Sequence, residues 1–143
     1  MVGRLSLRLL AIVEALPLKP GMRVLEIGCG PGAMARELAG RVGDGHVLAI
    51  DRSARAISQA EAASRSEIAA GRLSFRLVAA EAFSLLPHEA PYDLAVAVRV
   101  GALDGRHPEI ERQAREHIAA ALTASGRFFI DGGDPLTELT LRP

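Results

Sequence analysis

Aromatic side chains are scarce: tryptophan is absent, and Phe75, Phe83, Tyr92, Phe128 and Phe129 are the whole set. So few rings leave little for a base-stacking platform, and a formal net charge of zero supplies no broad basic footprint. Nucleic acid is therefore not indicated as a partner. A single cysteine, Cys29, excludes an internal disulfide and a cysteine cluster with metal-ligand spacing. It reads as a small buried residue rather than a reactive thiol. His46, His88, His107 and His117 are scattered without HExxH-like spacing, so no metal site is read. Long apolar runs are also missing, and nothing approaches the ~20 residues needed to span a bilayer. Arg4 and Arg8 precede an apolar stretch, but Glu14 interrupts it and no small-residue cleavage pattern follows. The expectation is a cytoplasmic chain with no membrane partner.

What is present is a regular alternation. At 143 residues and 49% hydrophobic composition, the chain has material for one core, and residues 1–143 read as a single domain. Leu5, Leu9, Ile12, Val13 and Leu16 recur at helical spacing, which predicts an amphipathic helix over 5–16. Strands are predicted at 22–27, 46–50, 73–79, 94–98 and 127–130, and helices at 31–42, 53–70 and 108–124, with Ile57, Ala60, Ser64 and Ile68 on the inner stripe of the helix over 53–70. This β-α-β order implies a mainly parallel, doubly wound α/β sheet of about five strands with helices on both faces.

Within it, Val24 to Gly32 (VLEIGCGPG) reads as a strand, a glycine-rich turn and the start of a helix. Gly28, Gly30 and Gly32 let the backbone reach positive φ and let a ligand approach closely, and Pro31 suits a first helical turn. Amides left unpaired at such a turn favour an anion, either a carboxylate or a phosphate. Ligands of these sheets lie beyond the carboxyl ends of the strands, and acids stand at three of those ends: Glu26, Asp51 and Glu81. Asp51 lies 19 residues beyond Gly32, a spacing suited to accepting from two ribose hydroxyls, with capping of the following helix as its other role.

VLEIGCGPG, VLAIDRS at 47–53, VAAEAF at 78–83, YDLAVAV at 92–98 and LTASGRFFID at 122–131 resemble, in order and spacing, the blocks of the class I S-adenosylmethionine-dependent methyltransferases. The resemblance spans about residues 20 to 131. It implies a Rossmann-like fold, S-adenosyl-L-methionine as cofactor, S-adenosyl-L-homocysteine as product, and methyl transfer to a small-molecule acceptor. It further implies that the backbone of Gly28, Cys29, Gly30 and Gly32 faces the amino-acid portion of the cofactor, with Glu26 toward its ammonium. Asp51 would hold the ribose, Arg52 would border the adenine, Glu81 and the Ala82 backbone would touch the adenine edge, and Val98 and Arg99 would line the methionine portion. Gly28, Gly30 and Ala33 also satisfy a bare GxGxxG/A pattern, so a nicotinamide oxidoreductase stays open on glycine spacing alone.

No catalytic residue is singled out; His107, Asp104, Asp131 and Asp134 are candidate bases near the expected opening. His117 falls on the apolar stripe of its helix with Ile110, Ala114, Ile118 and Ala121. Arg99-Val100-Gly101-Ala102 stands where many nitrogen methyltransferases of this family carry Asn/Asp-Pro-Pro-Tyr/Phe, so oxygen acceptors are slightly preferred. Only a dozen residues follow Asp131, so the family's closing strand pair is expected to be shortened or missing. The edge of the fifth strand is then left for the tail or for a homodimer to cover. A non-catalytic cofactor-binding or partner subunit is the alternative function.

Overall fold

The computed structural model describes residues 5–141; Arg4, read above as preceding the first helix, lies outside them. The elements run α1 (Leu7–Ala15), β1 (Arg23–Ile27), α2 (Ala33–Arg41), β2 (His46–Asp51), α3 (Ala54–Ala63), α4 (Arg65–Ala69), β3 (Leu73–Leu77), β4 (Tyr92–Ala97), α5 (Pro108–Ala121), β5 (Leu122–Asp131) and β6 (Leu136–Leu139), with short 3-10 turns at Ala80–Ala82 and Gly101–Leu103. Local chemistry sets several boundaries. Ser6 Oγ accepts from the Leu9 N–H to open α1, and Ser53 Oγ accepts from the Ala56 N–H to open α3. Pro108 begins α5, and Glu109 and Glu111 place negative charge in its first turn, where the helix dipole favours it.

The strands form one sheet in the order β3-β2-β1-β4-β5-β6. The first five are parallel, and β6 runs antiparallel against β5, with Phe128 opposite Leu139 and Asp131 opposite Leu136. The tail thus takes the strand-five edge that the sequence left to either the tail or a second copy, and the sheet has six strands rather than about five. Alternation along β1 divides the core. Val24 packs with Ile12, Leu38, Val47 and Val96 on the α1–α2–α3 face, whereas Leu25 and Ile27 pack with Phe83, Ile118 and Phe128 on the α5 face. Both faces are covered, as a parallel sheet requires.

Two helices depart most from the sequence reading. The helix expected over 53–70 breaks at Ser64, which leaves helical geometry (φ −120°, ψ 25°) and is fully buried. Its Oγ accepts from Arg36 Nη1 of α2 at 3.0 Å, so a tertiary bond sets the break. Beyond it the predicted inner stripe fails: Ile57 and Ala60 are buried, but Ile68 on α4 is 38% exposed. At the other end of the sheet α5 stops at Ala121 rather than Ala124, because Leu122 already pairs with Tyr92 as the start of β5. Among the described residues no helix is long and apolar enough to cross a membrane.

Candidate functional site

The chain leaves β1 for β2 and β3 on one side of the sheet and returns to β4 and β5 on the other, so a crevice opens between the carboxyl ends of β1 and β4. Gly28 lies on its floor with φ 73°. A Cβ there would meet Val100 Cγ2 at 2.7 Å, so both the backbone conformation and the close approach of the loop after β4 call for glycine. Gly32, the N-cap of α2 at φ 88°, is as crowded, with Arg36, Ala60 and Phe75 within 3.2 Å of the place a Cβ would take.

The amides of this turn are engaged within the protein. Gly28 N and Cys29 N both donate to Ile50 O (2.8 and 3.0 Å), Gly32 N donates to Cys29 O (3.1 Å), and Gly30 N donates to Asp51 Oδ2 (2.9 Å). The expectation of unpaired donors is therefore not met by Gly28, Cys29, Gly30 or Gly32, whose amides lock the turn onto itself and onto the end of β2. What the turn adds to the site is backbone shape beside the Asp51 carboxylate.

The N-cap of α3 is Ser53, and Asp51 sits two residues before it. Its Oδ1 accepts from Ser53 N at 2.9 Å at the entry to α3, its Oδ2 holds Gly30, and the residue also lines a cleft of about 390 Å³ beside the turn. A carboxylate has lone pairs to spare after two such bonds. Glu26 lies deeper, 3% exposed, on the opposite face of β1 from the cleft, between Ala49 and Val96 of the neighbouring strands. Its Oε1 has no partner among the described residues. Burial first, then the charge of Asp51, pushes this carboxyl up to about 8 against the pull of Arg36, so Glu26 is largely protonated at neutral pH. Cys29 is buried, and its thiol is pushed up by that burial and by the nearby Glu26 and Asp51. A thiol kept protonated in this way is no nucleophile.

Arg52 and Glu81 line the same cleft, Glu81 from the 3-10 turn Ala80–Ala82. Ala82 is not in the wall, and its N–H donates back to Ala79 O. Val98 packs against the α1–α2–α3 core; the wall at the end of β4 is made by Arg99, Val100 and Gly101 instead. Those three residues also border a second cleft of about 520 Å³ between the ends of β4 and β5. The candidate bases divide between the two. His107 lines the first cleft, at the N-cap of α5, whereas Asp104 and Asp131 line the second. Asp104 accepts from Arg106 Nε at 2.6 Å, and this bond with the Arg106 charge holds its carboxyl below the usual range. Asp131 accepts from Arg8 Nη2 at 2.9 Å and from Arg99 N at 3.1 Å. Asp134 lies in the exposed turn between β5 and β6, outside both clefts. His117 is half-buried, with its Nδ1 2.6 Å from Phe83 O.

Sequence reasoning missed Val100, Arg106 and Ile110. Val100 and Arg106 sit in an irregular connection with no periodicity to mark them, and Ile110 looks like any stripe residue of α5. Among the described residues no three His, Cys, Asp or Glu side chains gather as metal ligands would.

The buried, unpartnered Glu26 oxygen, the second carboxylate at Asp51 and the glycine floor together offer acceptors to an ammonium and to hydroxyls, and so fit an amino-acid-bearing nucleoside. Comparison with known proteins agrees with that chemistry. A methyltransferase domain family matches residues 24–126. A protein-L-isoaspartate O-methyltransferase of Methylorubrum populi is 37% identical over 92% of this chain and 54% of its own length. A trans-aconitate 2-methyltransferase of Streptomyces avermitilis is 37% identical over 62% of this chain and 32% of its own. Among solved structures, an S-adenosylmethionine-dependent methyltransferase of Geobacter sulfurreducens in complex with S-adenosyl-L-homocysteine superposes with a TM-score of 0.68 at 25% identity, over 89% of this chain and 48% of that one. The chain spans about half the length of the isoaspartate relatives it matches. The domain match over most of the chain, the six-stranded sheet and the ordered blocks lead to one assignment: this chain belongs to the class I S-adenosylmethionine-dependent methyltransferase family.

Proposed function

We propose that the chain, working as one domain, binds S-adenosyl-L-methionine in the cleft beside Gly28 and directs its methyl group to an oxygen atom of a small-molecule acceptor. The observation that carries the reading is Asp51: it lines the cleft from the end of β2, with its carboxylate oriented by Gly30 N and Ser53 N. In this reading Asp51 accepts from the ribose hydroxyls, Arg52 and Ile110 border the adenine, and Glu81 reaches its amino group. Glu26, protonated in the free chain at neutral pH, offers its carboxyl beneath the turn toward the ammonium, whose charge would favour its ionisation. The cofactor, when bound, supplies a methyl group activated on a sulfonium. The protein's share is positioning and exclusion of water, and orientation of reactants is worth on the order of 7 to 11 kcal/mol.

The acceptor preference rests on Arg99-Val100-Gly101-Ala102 and on relatives named as an isoaspartate O-methyltransferase and a trans-aconitate methyltransferase, whose named acceptors are carboxylic acids. Calorimetric titration with S-adenosyl-L-homocysteine is expected to show binding at about 10 µM or tighter. Asp51→Ala is expected to weaken it by at least about tenfold, since removal of a charged hydrogen-bond acceptor costs ~1.5–3 kcal/mol. Absence of binding to the wild-type chain, or equal binding by the variant, overturns the reading.

A further inference from the structure

We infer that the second cleft takes an anionic acceptor and that Arg99 is the residue selecting it, by its carboxylate. This rests on the methyltransferase reading above. The cleft shares Arg99, Val100, Gly101 and Arg106 with the cofactor cleft, so occupants of the two meet across these residues. Its remaining walls include the apolar side chains of Ala97, Leu103 and Ile130. Three of its four charges are already matched: Asp131 by Arg8, and Asp104 and Arg106 by each other. Arg99 is the fourth: its guanidinium has no carboxylate partner among the described residues, and the residue is exposed.

The backbone marks the same residue. Arg99 sits at φ 56°, a left-handed conformation uncommon for a residue with a Cβ, and its N–H is held by Asp131 Oδ1. Asp131 is in turn anchored by Arg8 of α1. Strained residues braced in this way cluster at ligand clamps, and the brace fixes where the guanidinium leaves the chain. A guanidinium matches the two oxygens of a carboxylate in a bidentate pair.

The acids of the cleft add a chemical reason. Asp104 and Asp131 are both tied to arginines and neither is free as a base. A carboxylate acceptor needs none, because its oxygen is unprotonated at neutral pH. The carboxylate oxygen donates an electron pair to the methyl carbon as the carbon–sulfur bond breaks; that bond's pair stays on sulfur. The products are a methyl ester and a neutral thioether, and no proton moves.

The test titrates succinate and citrate, with dimethyl succinate, trimethyl citrate and inorganic phosphate as comparisons, into the wild-type chain holding S-adenosyl-L-homocysteine. Amide resonances of Gly101 and Gly132 report from the cleft wall. The acids are expected to shift these signals and the esters to leave them unmoved. Arg99→Gln is expected to weaken acid binding by at least about tenfold, and Arg99→Lys, which keeps the charge, by about threefold. Esters binding as well as acids, phosphate binding more tightly than both acids, or Arg99→Gln binding acids like the wild type overturns the inference. S-adenosyl-L-homocysteine binding without any preference for acids overturns it while the cofactor reading stands. Failure of S-adenosyl-L-homocysteine to bind removes the cofactor reading and, with it, the acceptor role.

Discussion

Glu26 shows how a residue's surroundings reverse its usual behaviour. An acid at a strand end is ordinarily ionised, yet here burial and the neighbouring Asp51 raise it from 4.5 to about 8. The folded chain keeps this proton after the unfolded chain has lost its own. Stability therefore falls as pH rises from about 4.5 to about 8, the range in which the folded state binds more protons. Glu26→Gln removes that penalty. Urea unfolding at pH 5 and pH 9 is expected to find the variant close to wild type at the lower pH. At the higher pH it should be more stable, on the order of 2 to 4 kcal/mol. A wild-type chain equally stable at both values would contradict the assignment. The same variant loses the carboxyl that a bound ammonium would draw into ionisation, so its gain in stability comes with weaker cofactor binding, the trade expected where a buried acid serves a site.

Among the elements, the connection into β4 is held by one side chain. Glu89, 11% exposed, accepts from Arg76 Nη1 and Nη2 on β3 (3.2 and 3.0 Å), from Tyr92 Oη at 2.6 Å and from Leu86 N at 2.8 Å. Burial alone would raise its carboxyl, but these bonds outweigh it and hold the group below the usual range. With a depressed value the stabilisation is present above the ordinary glutamate range and is lost as pH falls through it. Glu89→Ala leaves Arg76 and Tyr92 without their acceptor. It is expected to cost ~2–4 kcal/mol at pH 7 and visibly less at pH 4, by thermal unfolding at each pH. An unchanged melting temperature at pH 7 would show that the network carries no stability.

At the scale of the molecule, β6 closes the sheet. It covers the edge of β5, sets Leu136 and Leu139 against the two core layers, and is pinned by Glu138, whose carboxylate accepts from Arg127 Nε and Nη2 at 2.9 and 2.7 Å. Truncation after Gly133 exposes a strand edge beside Phe128 and Phe129. The two part-buried leucines are worth ~1–1.5 kcal/mol each, so the truncated chain is expected to be less stable by ~2–3 kcal/mol. Light scattering is expected to show it associating with rising concentration, since an open edge is a template for pairing. A truncated chain that stays monomeric with an unchanged melting temperature would mean that β6 is not part of the sheet in solution.

Much of this was legible in the residues themselves. Period-two and period-3.6 patterning depends on nearest neighbours along the chain, so the alternating elements, the parallel sheet and the glycine turn with Asp51 nineteen residues on could all be read from VLEIGCGPG and VLAIDRS. Contacts between residues distant in sequence carry no such local signature. Only the tertiary structure decided that Ser64 breaks a helix to meet Arg36, that the turn's amides are spent on Ile50 and Asp51, and that Val100 rests on Gly28. It likewise decided that Arg99, which the resemblance set beside the methionine portion, stands where the two clefts meet with no carboxylate partner among the described residues. Such placements are set by packing, burial and charge, which exist only once the sheet has brought the strand ends together.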